Sequence, residues 1–207
     1  MRRSVRLIAV TGGIGSGKSL ICRMLSVMGY PVYDCDSGAK RIMDASPRIH
    51  QAIARDISHE AIVECGGVTS INRKILADVV FGNPAKLACL NGIVHSAVKL
   101  DLEQWCEEQI AHSSTTEVLF VETAILRQSG MDAMVNEIWE VSADNEIRIK
   151  RAMLRDNATR SHIEARMKSQ ASEKSVSSNS AVPVRIIDNN SDTPLLPQLL
   201  ELLRACF

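Results

Sequence analysis

The sequence has no excess of charge of either sign. Its 24 Lys and Arg residues are matched by 24 Asp and Glu residues, so the formal net charge is +0. A protein that binds a polyanion through its overall electrostatic field has a positive net charge. The balance therefore argues against nucleic acid as a partner, although a local basic patch is compatible with it. We expect no nucleic-acid partner.

Long apolar runs are also missing. No segment approaches the roughly 18 apolar residues that a transmembrane helix needs. The first residues place arginines before an apolar run, as a secretory signal does, but this run ends at Thr11. It is far shorter than the about 7 to 15 apolar residues of a signal peptide. We therefore expect a cytoplasmic protein with no membrane partner.

The six cysteines contain no C-x-x-C pair, and no His lies near them at zinc-binding spacing. The even count is compatible with disulfides. However, 207 residues, of which 45% are apolar, can form a core without them. We expect one domain, with or without insertions, whose thiols are free and mostly buried, and no metal site of the Cys/His type.

Short apolar segments alternate with longer helical patterns along the chain. The predicted strands are residues 5–10, Pro31–Asp34, Glu117–Glu122, Glu137–Ser142 and Val184–Asp188. The predicted helices are Lys18–Met28, Ser37–Ala45, Ile71–Phe81, Pro84–Ile110, Asn145–Asp156, Arg160–Lys174 and Pro194–Arg204. Continuous apolar strands are typical of a parallel sheet that is covered on both faces. The pattern predicts an α/β fold: a parallel sheet of about five strands with helices on both faces.

One interval interrupts this alternation. Residues 37–114 contain helical patterns and no convincing strand, so we interpret them as a helical insertion into a core formed by residues 1–36 and 115–207. Near the end of the core, the segment Ser169–Ser180 is polar and rich in serine. Such a composition predicts a mobile loop.

The motif with the highest specificity lies between the first strand and the first helix. Gly12-x-x-x-x-Gly17-Lys18-Ser19 fits the phosphate-binding loop (P-loop) pattern at every fixed position. Several backbone N–H groups must converge on the phosphates of a nucleoside triphosphate, and glycines leave the space for this approach. Lys18 would reach the β and γ phosphates, and the Ser19 hydroxyl would ligate Mg²⁺. The alternative is a glycine-rich turn with an incidental lysine.

The motif predicts a set of ATP-binding residues. They are Gly12, Gly13, Ile14, Gly15, Ser16, Gly17, Lys18, Ser19 and Leu20.

Acidic residues follow two of the predicted strands. Asp34 and Asp36 lie at the carboxyl end of the second strand, the edge where open α/β sheets bind ligands. One can accept a proton from a substrate hydroxyl while the other orients a metal-bound water or a hydroxyl. Alternatively, Asp36 caps a helix that begins at Ser37. Glu122 ends the third strand and is a candidate magnesium ligand, although many strands end in an acid.

Three arginines are spaced for one helical face. Arg148, Arg151 and Arg155 lie at i, i+3 and i+7, and guanidinium groups bind phosphate oxygens through paired hydrogen bonds. We interpret this helix as part of a lid over ATP. The alternative is a solvated face with salt bridges to Glu146 and Asp156.

Together, these motifs resemble those of the dephospho-CoA kinase family. "TGGIGSGKS", "GYPVYDCD", "FGNPAKLACLNGIVH" and "RIKRAMLRDNATRSHIEARMKSQ", followed by "IIDN", occur in the order typical of that family. The resemblance covers nearly the whole chain. It implies a P-loop small-molecule kinase that transfers the γ-phosphate of ATP, with Mg²⁺, to the 3′-hydroxyl of dephospho-CoA. This is the last step of coenzyme A biosynthesis.

The resemblance also implies roles for segments and residues. Asp36 falls on the family's catalytic acid, Arg151 and Arg155 fall on its lid arginines, and His95 and Arg73 fall on positions near the substrate. The insertion would be the CoA-binding domain, and the lid would span about residues 144–172.

These roles combine with those derived from the motifs. The predicted catalytic residues are Asp36, Lys18, Arg151 and Arg155. The predicted substrate-binding residues are Asp34, Asp36, Arg73 and His95, and the predicted metal ligands are Ser19 and Glu122.

The chain departs from the family pattern at a few positions: Ser96 follows His95 in place of Pro, Gln128 replaces an acid, and Pro183-Val184 replaces Ala-Asp. Two other hypotheses stay open. One is a P-loop kinase for another hydroxylated metabolite, and the other is an ATP-binding regulatory module with weakened catalysis. We expect a monomer or a weak homo-oligomer that binds ATP and dephospho-CoA.

Overall fold

The structure is a computed structural model that describes residues 5–112, 117–173 and 181–207. In chain order, its elements are β1 Arg6–Gly12, α1 Lys18–Val27, β2 Val32–Asp34, α2 Cys35–Ala45, α3 Pro47–Asp56, β3 Ile62–Cys65, β4 Val68–Ile71, α4 Arg73–Phe81, α5 Pro84–His112, β5 Val118–Glu122, β6 Glu137–Ser142, α6 Asn145–Asp156, α7 Arg160–Glu173, β7 Val184–Asp188 and α8 Leu195–Arg204. Short 3₁₀ helices cover His59–Ala61 and Met131–Ala133.

The chain divides into two compact units. The first comprises Met1–Asp34 and Glu108–Phe207, and the second comprises Cys35–Glu107. The first boundary between the units thus falls after Asp34, whereas it was predicted after residue 36. The second falls after Glu107, and the border predicted at residue 114 lies outside the described residues.

The first unit contains a parallel sheet of five strands in the order β2-β5-β1-β6-β7. This confirms the predicted α/β fold. Strand β1 lies in the middle, where Val10 pairs with Glu122 of β5 and Gly12 pairs with Val141 of β6. The residues that follow β1 therefore leave the sheet at the centre of its carboxyl edge.

Both faces of this sheet are covered. On one face, Ile8 and Val10 pack with residues of α1 and α8 in a single buried cluster. The intervening Ala9, which points to the opposite face, is also fully buried, as is Val121 of β5. The continuous apolar patterns of β1 and β5 therefore correctly indicate strands that are buried on both faces. The edge strand β7 differs, because Val184, Arg185 and Ile186 are exposed.

The second unit contains a two-stranded antiparallel hairpin, β3–β4, which the sequence analysis did not predict. The prediction that the insertion contains no strand is wrong. The turn consists of Gly66 and Gly67, both with positive φ (59° and 78°). Two glycines between short runs rich in β-branched residues are a hairpin signal, because such two-residue turns need positive φ at both positions.

Helix α3 was also not predicted. Ser46 is its N-cap and accepts a hydrogen bond from the Ile49 N–H, and Pro47 occupies the first helical turn. This combination is a typical helix start. The helix predicted from Ile71 begins instead at Arg73, because Asn72 caps it through a hydrogen bond from the Ile75 N–H to Oδ1.

Helix α7 continues to Glu173, so the first part of the predicted serine-rich loop, from Ser169 onward, is helical. Its remaining residues, 174–180, lie outside the described residues. Helical hydrogen bonding at Ser169 and beyond outweighs the polar composition on which the loop prediction rested.

All six cysteines are free, as predicted, but only Cys22 and Cys35 are buried. The expectation of mostly buried thiols is therefore wrong, because Cys65 is exposed on the hairpin and the other three are partly accessible. Within the described residues, no helix is both long enough and apolar enough to cross a membrane.

The hairpin turn of the second unit allows a direct test of the fold. We expect Gly67→Ala to lower the free energy of unfolding by roughly 1–2 kcal/mol, because an alanine at φ 78° is strained. The matched control is Gly92→Ala in helix α5, where a Cβ meets nothing within 4 Å. This change should stabilise the protein by about 0.5–1 kcal/mol. Urea unfolding of both variants measures the two changes in the free energy of unfolding. If both substitutions change it in the same direction, the hairpin turn is contradicted.

Candidate active site

The P-loop, residues 12–17, connects β1 to α1. Its backbone turns sharply, with positive φ at Gly12, Gly15 and Gly17 (151°, 74° and 97°). Residues with a side chain rarely adopt these conformations, so the glycines of the motif are required by the path of the chain itself. Helix α1 begins directly after Gly17, and its first N–H groups point toward the loop.

The glycines also make room for other parts of the protein. A Cβ on Gly13 would lie 2.1 Å from Nη2 of Arg148, and one on Gly15 would lie 2.2 Å from the Arg148 carbonyl oxygen. A Cβ on Gly17 would lie 2.1 Å from Nδ2 of Asn189. The loop is therefore packed tightly against α6 and against the segment after β7. The motif had predicted only one role for these glycines, access of the phosphates to the backbone.

Three side chains from outside the loop bind its backbone. Arg148 Nε donates to the Ile14 carbonyl at 2.9 Å, and the Ile14 N–H donates to Oε1 of Gln170 at 2.8 Å. Asn189 Nδ2 donates to the Ser16 carbonyl at 2.7 Å. Sequence reasoning gave no role to Gln170 and Asn189. The only signal for them was their place at the ends of two motifs quoted for the family resemblance.

The same loop makes an apolar contact with the helices predicted to form the lid. The Ile14 side chain packs against the buried cluster of Ile149, Ala152 and Ile163, which joins α6 to α7. Hydrophobic packing and the two hydrogen bonds of Ile14 therefore act together. They attach helices α6 and α7 to one residue of the loop.

The three arginines of α6 bind three different partners. Arg148 binds the P-loop, Arg151 Nη1 donates to the Asn189 carbonyl at 3.0 Å, and Arg155 binds Asp156 through two bonds of 2.7 and 3.1 Å. Asp156 also accepts a bond of 2.7 Å from Arg166. The bonds from Arg155 and Arg166 hold the pKa of the Asp156 carboxyl well below its usual range.

The predicted alternative of salt bridges within this helix holds for Arg155, which pairs with Asp156. It is wrong for Glu146, which pairs with Arg160 of α7 at 2.5 Å. Glu146 and Arg160 thereby link the two helices. Most of their side-chain surface is exposed, so this pair contributes little to stability.

The two predicted metal ligands lie together. The Ser19 hydroxyl donates to Oε1 of Glu122 at 2.7 Å, because β5, which ends in Glu122, is the neighbour of β1. On the other side of β5, Asp34 of β2 pairs in register with Glu122. The described residues contain no cluster of three or more His, Cys, Asp or Glu side chains that could hold a metal ion. A hydroxyl and a carboxylate fit Mg²⁺, which takes few protein ligands and completes its shell with phosphate oxygens and water.

The other predicted site residues belong to the second unit. Asp36 lies in the first turn of α2, which begins at Cys35, so the alternative that Asp36 caps a helix beginning at Ser37 is wrong. Arg73 is the first residue of α4 and binds Asp44 through an exposed ion pair of 2.7 Å. His95 is half-buried on α5, and burial, with a smaller effect of the Lys99 charge, lowers its pKa.

A small cavity of about 80 Å³ lies beside the end of β1. Thr11, Gln128 and Glu140 are among its lining residues. Gln128 is the position where the chain departs from the family's acid, and the structure places a carboxylate, that of Glu140, in the lining of the same cavity. Glu140 was not predicted as a site residue, because it lies within β6 and not at its end.

The central β1, the glycine loop at its carboxyl end and the Ser19–Glu122 pair are features of a P-loop nucleotide-binding protein. The family model for dephospho-CoA kinase matches residues 6–194. The chain belongs to the dephospho-CoA kinase family.

Individual relatives agree with this assignment. A dephospho-CoA kinase from Bacteroides fragilis is 36% identical over 196 residues, which cover 95% of this chain and 90% of the relative. One from Porphyromonas gingivalis is 36% identical over 198 residues, covering 96% and 93%.

Solved structures have the same fold. The crystal structure of TT1252 from Thermus thermophilus superposes with a TM-score of 0.74 at 28% identity, covering 98% of both chains. A dephospho-CoA kinase from Campylobacter jejuni superposes with a TM-score of 0.64 at 21% identity, covering 96% of this chain and 95% of the other.

The environment of His95 leads to a prediction about its protonation. We expect its imidazole to titrate below the ordinary value of 6.5, so that it is neutral at pH 7. Lys99→Met should raise this pKa, but not fully to the ordinary value, because burial is the larger cause. Lys99→Arg, which keeps the charge, should leave it low. NMR titration of the His95 ring resonance, assigned with His95→Gln, measures the midpoints. An unchanged midpoint in Lys99→Met would contradict an effect of the Lys99 charge.

Proposed function

We propose that this protein is a dephospho-CoA kinase, which transfers the γ-phosphoryl group of ATP to the 3′-hydroxyl of dephospho-CoA. The observation that supports this most directly is the combination of a complete P-loop with a family match over residues 6–194. A P-loop alone indicates only the phosphate donor, and the family indicates the acceptor. Expectations of a cytoplasmic location and of a monomer or weak homo-oligomer stay predictions.

The donor side of the reaction uses the P-loop. In this proposal the loop N–H groups and Lys18 bind the β and γ phosphates, and Arg151 and Arg155 stabilise charge on the transferred phosphoryl group. Arg155 is already bound by the Asp156 carboxylate. Its binding to a phosphate would therefore exchange one anionic partner for another, which lowers the net gain.

Ser19 and Glu122 would hold Mg²⁺. When bound, the ion neutralises charge on the phosphate oxygens. Glu122 would orient the Ser19 hydroxyl, which it already binds at 2.7 Å, toward the metal-binding position. The exposed location of this pair leaves space for phosphate and water oxygens.

The acceptor side uses the second unit, Cys35–Glu107, as the domain that binds dephospho-CoA. Asp36 would take the proton of the ribose hydroxyl as it attacks, because a carboxylate within hydrogen-bond reach of a hydroxyl can act as a general base. Asp34, Arg73 and His95 would bind and orient the acceptor. A neutral His95 can both donate and accept a hydrogen bond, which suits a polar group of the acceptor.

A substrate panel tests the acceptor. With Mg²⁺ and ATP, we expect the purified protein to release ADP when dephospho-CoA is added, and to release little with adenosine, shikimate or gluconate. Preference for one of the other hydroxyl compounds would contradict the acceptor assignment and support a different P-loop kinase. Binding of ATP with no turnover on any acceptor would support a regulatory module.

Substitution of the proposed base tests the mechanism. We expect Asp36→Asn to retain ATP affinity but to lower turnover by two or more orders of magnitude, the scale of a lost general base. Asp78→Asn is the matched control, since Asp78 is an exposed acid on helix α4 of the same unit and has no proposed role. Calorimetric ATP binding and steady-state kinetics measure the two effects. Equal turnover in both variants would exclude Asp36 as the base.

A further inference from the structure

Asn189 follows β7 directly and is only 5% exposed. Three of its polar groups bind three different parts of the first unit. The backbone N–H donates to the Ser142 carbonyl of β6 at 2.8 Å, the side-chain Nδ2 donates to the Ser16 carbonyl at 2.7 Å, and the backbone carbonyl accepts from Arg151 at 3.0 Å. A buried residue with this set of bonds has little freedom to move.

The bond to Ser16 fixes the direction of one peptide unit in the P-loop. In a planar trans peptide the C=O and the following N–H point in opposite directions, and the unit between Ser16 and Gly17 is trans. Because Asn189 holds the Ser16 carbonyl on one side, the Gly17 N–H points to the other. Arg148 acts in the same way on the Ile14 carbonyl, and so directs the N–H of Gly15.

These two N–H groups are donors available to a ligand. Within the described ranges 5–112, 117–173 and 181–207, neither the Gly15 N–H nor the Gly17 N–H donates to a protein acceptor. Both belong to glycines with positive φ next to the start of α1, where backbone N–H groups form an anion-binding concavity.

We propose that Asn189 is a positioning residue for phosphate binding: by holding the Ser16 carbonyl, its side-chain amide directs the Gly17 N–H toward the phosphates of the nucleotide. This inference rests on the proposed function only in taking ATP as the ligand. The contact is specific to the side chain of Asn189. The close approach leaves no space for a longer side chain at position 189, because a Cβ added at Gly17 would lie 2.1 Å from Nδ2.

The substitution Asn189→Asp tests this role with almost no change in shape. It places a carboxylate oxygen against the Ser16 carbonyl, which removes the donor and adds repulsion. Asn190→Asp is the matched control for the added charge. The side-chain oxygen of Asn190 accepts a bond from the Asp144 N–H at 2.9 Å, and aspartate retains that acceptor. Asn189→Ala, which removes the donor without adding charge, is the second test variant.

Two measurements separate positioning from a general loss of structure. The first is calorimetric binding of Mg-ATP without an acceptor, so the result does not depend on whether dephospho-CoA is the substrate. The second is the backbone amide spectrum of protein labelled with ¹⁵N-glycine, recorded with and without ADP. In this spectrum 11 glycines give signals. Thermal melting checks that each variant is folded.

We expect Asn189→Asp and Asn189→Ala to raise the Kd of Mg-ATP at least about tenfold, the scale of one lost hydrogen bond. Asn190→Asp should change it less than about threefold, as expected of a partly exposed charge. In wild type, ADP should shift the Gly17 amide signal strongly, and in both Asn189 variants this shift should be reduced. If a folded Asn189 variant binds Mg-ATP with wild-type affinity, or shows the full Gly17 shift, the inference is wrong. Should Asn189→Asp fail to fold, Asn189→Ala decides by the same criteria.

Discussion

The orientation of the peptide units in the P-loop is the constraint on which the rest of the site depends. A phosphate chain can be bound only if several N–H groups point to one side, and a flexible glycine loop has no intrinsic preference for this. Here, side chains outside the loop bind the carbonyls of Ile14 and Ser16 and leave the opposite side to the N–H groups. Because the glycines have no side chains, neighbouring residues can approach the loop closely. Their hydrogen bonds then fix the backbone conformation that glycine alone would leave free.

These neighbours are distant in sequence. Arg148, Gln170 and Asn189 bind the loop across separations of 134, 156 and 173 residues. The observed conformation of the loop therefore depends on contacts from α6, from α7 and from the residue that follows β7. It also means that a change in α6 can reach the loop without touching the nucleotide, because Arg148 contacts Gly13, Ile14 and Gly15 at once.

Features that depend on neighbouring residues in the sequence were more predictable than contacts between residues that are distant in the sequence. The five strands of the sheet and the start of α1 follow from local apolar runs and from the glycine motif, and they were predicted to within a few residues. The hairpin at Gly66–Gly67 and the start of α3 at Ser46 are also local, and their turn and cap signals were overlooked.

The side chains that bind the P-loop were not predicted for a different reason. No spacing rule connects Asn189 with Ser16, or Gln170 with Ile14, because each pair meets only through the tertiary fold. The common face of the three arginines was predictable from helical periodicity, but their separate partners were not. A shared helical face sets which side chains are neighbours. It does not decide whether a guanidinium binds a carbonyl, a carboxylate or a ligand.

The two acids after β2 illustrate how topology narrows a choice that the sequence left open. Asp34 is the last residue of β2 and is in register with Glu122, so it belongs to the first unit together with the proposed metal ligands. Asp36 belongs to the second unit, in the first turn of α2. A general base must be positioned with the acceptor. This placement agrees with the proposal that Asp36 is the base. It also puts Asp34, which is proposed to bind the acceptor, at the sheet edge beside the proposed metal ligand Glu122.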